Sequence, residues 1–291
     1  MDIDESDNNI NLNHQNVNRN SANNNNIIRN IPSENDYQFC GLVSGMKKYT
    51  TISLGDSEKI NNRSIVEITG EAGTGKSKLC YYFALKTILP EKYGGLEKGC
   101  LFVTTFKRLN EENLSEFFLN PATNLGLDDK EKEMLFQRLI YKHLGFEEFQ
   151  HFFNEDFEKY LIENKIQTLI IDNISCLCDE KFQGDSAYNY PARHKFFFDY
   201  FFHLNGIILR YNLFCFCVNE VRASFGSEHL GGSSKPAMGK TWENNLGTRL
   251  FLKRNTNNHK RWIQVDFSNY LIKQYIELIL FSKIIFNKRS I

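Results

Sequence analysis

The chain has 291 residues, 41% hydrophobic and 14% aromatic, enough for one large α/β domain or two small ones around a sizeable core. Its 35 Lys and Arg balance 35 Asp and Glu, so the overall charge demands no polyanionic partner and any nucleic-acid surface must be local. The N-terminus lacks an apolar signal region and no uncharged run is long enough to span a bilayer, which predicts a cytosolic or nuclear protein.

Residues 1–35 are dominated by asparagine (Asn8, Asn9, Asn11, Asn13, Asn16, Asn18 and Asn20 among others) and carry few large apolar side chains. Such a stretch cannot bury enough surface to offset its conformational entropy, so a disordered tail is expected there. Short apolar pieces at 39–43 and 49–54 predict one strand between Tyr37 and Asn62.

The organising stretch follows: Gly70-Glu71-Ala72-Gly73-Thr74-Gly75-Lys76-Ser77, which reads G-x-x-x-x-G-K-S. Before it runs the β-branched, alternating segment 64–69; after it, residues 79–86 are compatible with a helix. Strand, glycine loop and helix form the context that a phosphate-binding loop requires. The glycines let backbone N–H groups turn inward around phosphate oxygens, and the helix N-terminus adds its partial positive charge. Lys76 is placed to reach the β- and γ-phosphates of a nucleoside triphosphate, and Ser77 to give its hydroxyl to Mg²⁺. The competing reading is a glycine-rich turn beside a surface lysine.

Pro90 should end that helix. Residues 99–104 read as a buried parallel strand. Asp128 with Glu131 forms a capping-box pattern, and Asp129, Glu131 and Glu133 suit the first turn of a short helix. Residues 139–143 alternate like a strand, and a helix over 146–164 places Phe149, Phe152, Phe153, Phe157 and Tyr160 on one core-facing stripe. The run 167–172 is apolar and ends in Asp172, as in a buried strand that delivers one carboxylate to magnesium; a strand simply ending in a polar loop is the plainer alternative.

A polar loop at 178–193, a helix over 194–211 and a buried strand over 213–218 ending at Asn219-Glu220 come next. Residues 222–240 read as a flexible basic loop, 248–254 and 261–267 as strands joined by a polar turn, and 271–286 as an amphipathic helix. The expected organisation is thus a tail at 1–35, a core at 36–270 and an amphipathic extension at 271–291. The seven cysteines form no C-x-x-C pair; Cys176 with Cys178, and Cys215 with Cys217, each share one face of an extended run and read as small hydrophobes in a reducing compartment.

The long interval from Lys76 to Asp172 resembles the RecA-type core. The chain is similar to the eukaryotic RecA-family recombinases, and within them to the DNA-repair paralogues of the X-ray cross-complementing kind. The resemblance, spanning residues 50–267, rests on the glycine loop, Leu169-Ile170-Ile171-Asp172-Asn173-Ile174 and Cys217-Val218-Asn219-Glu220-Val221. It rests above all on Lys235-Pro236-Ala237-Met238-Gly239-Lys240-Thr241-Trp242 leading into Thr248-Arg249-Leu250.

That resemblance implies a RecA-like P-loop NTPase core with a mostly parallel sheet flanked by helices, binding ATP and Mg²⁺. It implies contact with single-stranded or branched DNA through loops near 178–193 and 221–240. There Lys181, Arg193, Arg222, Lys235 and Lys240 are candidates for phosphate neutralisation, although any one of them fits a solvated basic loop. It further implies a nuclear hetero-oligomer with other recombinase paralogues and the main recombinase, loading or stabilising a filament, as a DNA-dependent ATPase or as a scaffold that binds ATP without turnover. The motif that docks relatives onto a neighbour is only echoed by Phe39-Cys40-Gly41-Leu42.

Two departures bear on hydrolysis. The family's water-polarising glutamate is matched by Thr105, leaving the catalytic residue unassigned, with Glu111 and Glu112 as shifted substitutes. The family's γ-phosphate-sensing Asn-Gln pair reads Asn219-Glu220, where a carboxylate repels phosphate. Secure ATP binding with weak hydrolysis is the expectation. The rival reading is a small-molecule P-loop phosphotransferase, which needs an arginine-rich lid that is not seen between Asp172 and Asn219.

Overall fold

The segments that read as unbroken apolar runs are stable only with both faces covered, and the fold covers both. In the computed structural model, which describes residues 62, 64–105, 109–182, 190–223, 234–269, 271, 273 and 275–278, they form the centre of an eight-stranded sheet. The Asn-rich segment, the strand expected between residues 37 and 62, and the Phe39 motif lie outside the described residues.

Strands β1 (Ile65–Gly70), β2 (Gly99–Thr104), β3 (Leu139–His143), β4 (Ile166–Asp172) and β5 (Phe214–Asn219) are parallel to their neighbours. With β8 (Leu246–Arg254), β9 (Arg261–Ser268) and β10 (Tyr275–Leu278) the order across the sheet is β10-β9-β8-β1-β5-β4-β2-β3. β8 is parallel to β1, whereas β9 and β10 are antiparallel additions. This is the mostly parallel α/β core that the resemblance implied.

Period-two alternation sorts the strand side chains into two cores. On one face Val66, Ile68, Phe102, Ile170, Phe216 and Leu250 pack beneath α1 (Lys76–Ile88), with Phe83 stacked on Phe216 at 4.2 Å between ring centroids. That face is completed by α2, which runs through Glu111–Leu114, a π-helical Ser115–Leu119 and Asn120–Asn124, and by α3 (Asp129–Arg138), whose capping box from Asp128 and Glu131 is formed. On the other face lie α4 (Phe146–His151, π-helical Phe152–Asp156, Phe157–Glu163), α5 (Ile174–Lys181) and α6 (Tyr190–Tyr211), which bury the aromatic stripe of Phe149, Phe153 and Phe157. Cys215 and Cys217 are buried there too.

Three expectations change. Residues 178–193 are not one polar loop, because the Asn173 side chain accepts from the Cys176 N–H at 2.7 Å and starts α5 with Ile174, Leu177 and Cys178 on its buried face. Cys176 and Cys178 are therefore helical, not extended. The 222–240 segment is partly ordered: β6 (Val221–Ala223) pairs with β7 (Ser234–Pro236), and α7 (Gly239–Glu243) follows, while residues 224–233 lie outside the described residues. The expected C-terminal helix contains β10, since the outer edge of β9 offers unpaired backbone to an alternating segment; residues 279–291 lie outside the described residues.

A carboxylate interrupts the apolar centre of the sheet. Glu67 of β1 is fully buried, lies in register beside Arg249 of β8, and accepts hydrogen bonds from Arg249 Nε, Trp242 Nε1 and Asn219 Nδ2. Arg249, 3% exposed, also donates to Glu243 at 2.7 Å and lies 3.7 Å from Asp266. Trp242 in turn packs edge-on against Phe201 of α6 at 4.4 Å. One carboxylate thus joins β1, β5, β8 and α7.

Removing one member of a buried ion pair strands the other charge and costs about 3–5 kcal/mol, whereas replacing both with apolar groups is often neutral. Glu67→Gln is therefore expected to destabilise the protein by about 3 kcal/mol in urea unfolding, and the Glu67→Leu/Arg249→Met pair by less. Equal stability of Glu67→Gln and wild type would mean that Glu243 and Asp266 alone satisfy Arg249.

Candidate functional site

Ligands of open parallel sheets gather beyond the carboxyl ends of the strands, and the predicted residues converge there. β1 ends at Gly70, β4 at Asp172 and β5 at Asn219, on adjacent or next-adjacent strands. Gly70 is held close to β8: a Cβ on it would lie 2.3 Å from the Leu252 carbonyl oxygen, and its φ is 148°. Gly75, at φ 107°, turns the chain into α1 without any side-chain cap, so the first N–H groups of the helix stay open to an anion.

Lys76 Nζ donates to the carbonyl oxygens of Gly70 at 2.7 Å and Glu71 at 3.1 Å, and forms no ion pair among the described residues. Burial pushes its pKa down, and Glu220, Asp172 and Glu71 oppose that shift. Burial likewise raises the pKa of Asp172, against a hydrogen bond from Ser77 and the charge of Lys76, while Glu220 pushes it further up. A cavity of about 300 Å³ lined by Gly73, Gly75, Lys76, Ser77, Lys78 and Arg261 lies along the loop. Open helix N–H groups, a lysine without a counter-ion and a hydroxyl–carboxylate pair of hard oxygens match the needs of a polyphosphate and a magnesium ion. Ala72 and Thr74 belong to the same turn, the Thr74 hydroxyl donating to Glu71 O at 2.8 Å.

The residues that bear on hydrolysis sit differently. The Thr105 hydroxyl donates to Asn173 O at 2.7 Å and accepts from Asn173 N–H at 3.1 Å, clamping the chain just after Asp172. Glu111 and Glu112 are exposed in the first turn of α2 and are not among the charges acting on Lys76 or Asp172. Asn219 is fully buried with its amide nitrogen committed to Glu67, and its carbonyl oxygen has no partner among the described residues. Glu220 is exposed and accepts from Asn173 Nδ2 at 3.2 Å, at the Lys76 end of the site.

Of the basic residues, Arg193, Arg222 and Lys240 line one cavity of about 200 Å³ together with His194, and Lys235 stands directly opposite Arg222 in the β6–β7 hairpin. Arg222 pairs with Asp179, and the exposed Lys240 pairs with Glu243 at 2.6 Å. Such surface pairs are worth about 0–1 kcal/mol and yield readily to a phosphate. The Arg193 Nε is buried without a hydrogen-bond partner among the described residues. Lys181 ends α5, and its side chain lies outside the described residues. The hairpin touches the glycine loop, as Ser234 Oγ donates to Glu71 at 3.4 Å, and it is closed by Ala237 N donating to Glu220 O at 2.8 Å.

Sequence reasoning passed over Glu67, although a charged residue inside a β-branched strand was a usable signal. It also passed over Arg261, which only the return of β9 brings to the loop.

Comparison with known proteins matches this geometry. The human DNA repair protein RAD51 homolog 2 is 24% identical over 212 residues, covering 65% of this chain and 55% of the relative's own length. The DNA repair and recombination protein RadA of Aeropyrum pernix is 24% identical over 238 residues, 79% of this chain and 70% of that protein. The DNA repair protein XRCC3 homolog of Arabidopsis thaliana is 22% identical over 217 residues, 66% of this chain and 69% of the relative. With the Rad51 family description matched over residues 38–283, and with the glycine loop and Asp172 at the strand ends of one mostly parallel sheet, the chain belongs to the Rad51 family.

Proposed function

We propose that this protein is an ATP-binding recombinase paralogue of homologous recombination and double-strand break repair. It engages single-stranded or branched DNA and related recombinase subunits in the nucleus, as part of a hetero-oligomer. The observation that carries the reading is the glycine loop itself, with Lys76 in no ion pair among the described residues and the Ser77 hydroxyl beside the Asp172 carboxylate. In this reading Lys76 and the first N–H groups of α1 bind the phosphates, and Ser77 and Asp172 hold Mg²⁺, which neutralises charge on the phosphate oxygens. Family membership and the repair proteins among its relatives favour this over a small-molecule phosphotransferase. The reading assigns residues 36–270 to the ATP-binding core and 271–291 to an amphipathic extension, whose described residues include β10.

Turnover is proposed to be weak. Hydrolysis needs a water oriented at the γ-phosphate by a base, and loss of such a base lowers the rate about 10²- to 10⁴-fold. The Thr105 hydroxyl is occupied by Asn173, and Glu220 brings a negative charge towards the end of the site where the phosphate would lie.

Lys76→Ala is expected to weaken ATP binding about 100-fold or more, measured by calorimetric titration; unchanged affinity would remove the phosphate-loop assignment. Replacing Arg222, Lys235 and Lys240 together with Ala should weaken single-stranded DNA binding and flatten the dependence of log K on log salt by about 0.7 for each phosphate that is no longer neutralised. An unaltered slope would leave the hairpin to protein contacts. The purified chain should bind ATP yet release phosphate far more slowly than an active recombinase, with or without DNA. Robust turnover would sink that account, and Glu220→Gln, Glu111→Gln and Glu112→Gln would then show which carboxylate supplies the base.

A further inference from the structure

Strand register carries two arginines to the nucleotide loop. β1 and β8 stay paired up to Gly70 opposite Leu252, so the next residues of β8 run alongside the loop that leaves β1. Two residues on, Arg254 stands directly opposite Arg261 of β9. Like charges facing each other across an antiparallel pair are destabilising, and neither arginine pairs with a carboxylate among the described residues. Arg254 meets the ring nitrogen of His259 at 3.0 Å, and Arg261 donates to the His259 carbonyl at 3.2 Å, leaving its buried Nε without a partner. Both reach the loop: Arg254 Nη1 lies 3.6 Å from the Cβ position of Gly73, and Arg261 lines the phosphate cavity beside Gly75 and Lys78.

Arg261 thus shares one cavity with Lys76 and Ser77, and Arg254 stands beside Gly73, another residue of its lining.

We propose that Arg261, with Arg254 beside it, is a second cation of the nucleotide site, supplied by the same chain and contacting the phosphate chain. This rests on the reading of the glycine loop as a nucleotide site. A guanidinium there adds a charge-assisted contact, and an anion that enters relieves the arginine–arginine repulsion.

The test is calorimetric titration of the full chain with ATP, ADP and inorganic tripolyphosphate, alongside thermal melting with and without each. Arg261→Ala should weaken all three about tenfold and shrink the melting shift each produces, while the ligand-free melting temperature is unchanged or raised. Arg261→Lys should recover part of the affinity, and Arg254→Ala should weaken the ligands less than Arg261→Ala does. If Arg261→Ala does not fold, Arg261→Lys and Arg254→Ala carry the test, and wild-type affinity for all three ligands in both overturns the inference. Loss confined to ATP and ADP, with tripolyphosphate unaffected, overturns the phosphate contact. Unchanged affinity for all three in Arg261→Ala overturns the inference alone, because wild type then still binds and Lys76→Ala does not. A wild type that binds none of them overturns the nucleotide reading and this inference with it.

Discussion

Glu67 is the point on which several elements of this fold depend. A carboxylate with no exposed surface needs donors around it, and it is surrounded by a guanidinium, an indole N–H and an amide from three other elements. Directionality makes the arrangement demanding. Apolar packing would tolerate sliding of β8 against β1, but the Arg249 contact requires the observed register, and the Trp242 contact requires α7 to return to the centre of the sheet after the basic hairpin. The strand that launches the phosphate loop and the helix that closes the hairpin therefore share one anchor three residues before Gly70.

That shared anchor gives physical content to communication between the two candidate surfaces. Around the loop, Glu71 meets Ser234 of the hairpin, and Glu220 links Asn173 at its carboxylate to Ala237 at its carbonyl. A movement of phosphate-loop residues has direct contacts through which to reach β6 and β7, and a movement of α7 is resisted at Glu67. Asn219, read from the family pattern as half of a phosphate sensor, takes part in the anchor, while Glu220 remains at the site. The two positions of that pair serve different connections.

Much of the fold was legible because its signals are local. The glycine loop, the apolar runs at 99–104 and 213–218, the Asp128–Glu131 capping box and the Phe149–Phe153–Phe157 stripe each follow from neighbouring residues. Misreadings arose where a short signal was diluted or a distant partner decided. Asn173 is an N-cap hidden beside the more conspicuous Asp172, and β10 is a strand because β9 lies next to it, in a segment whose apolar spacing also suits a helix. In the candidate site, Lys76, Ser77 and Asp172 were readable from spacing, whereas Glu67 and Arg261 acquire meaning only from cross-strand register. The clamp between Thr105 and Asn173 was equally invisible, since it joins the ends of two strands 68 residues apart.

Gly70 shows how the loop and the neighbouring strand limit each other's history. The oxygen of Leu252 occupies the space where any side chain at position 70 would begin, so this glycine answers to β8 before it answers to phosphate. The glycine loop is consequently no detachable cassette. Grafted onto a sheet whose next strand stops short or swings away, it would lose the wall that sets its first turn; conversely, β8 cannot be shortened or re-registered without reopening the loop. Sequence drift in these two segments is bound to be joint, and a chimera that exchanges one of them between relatives has to carry the other with it.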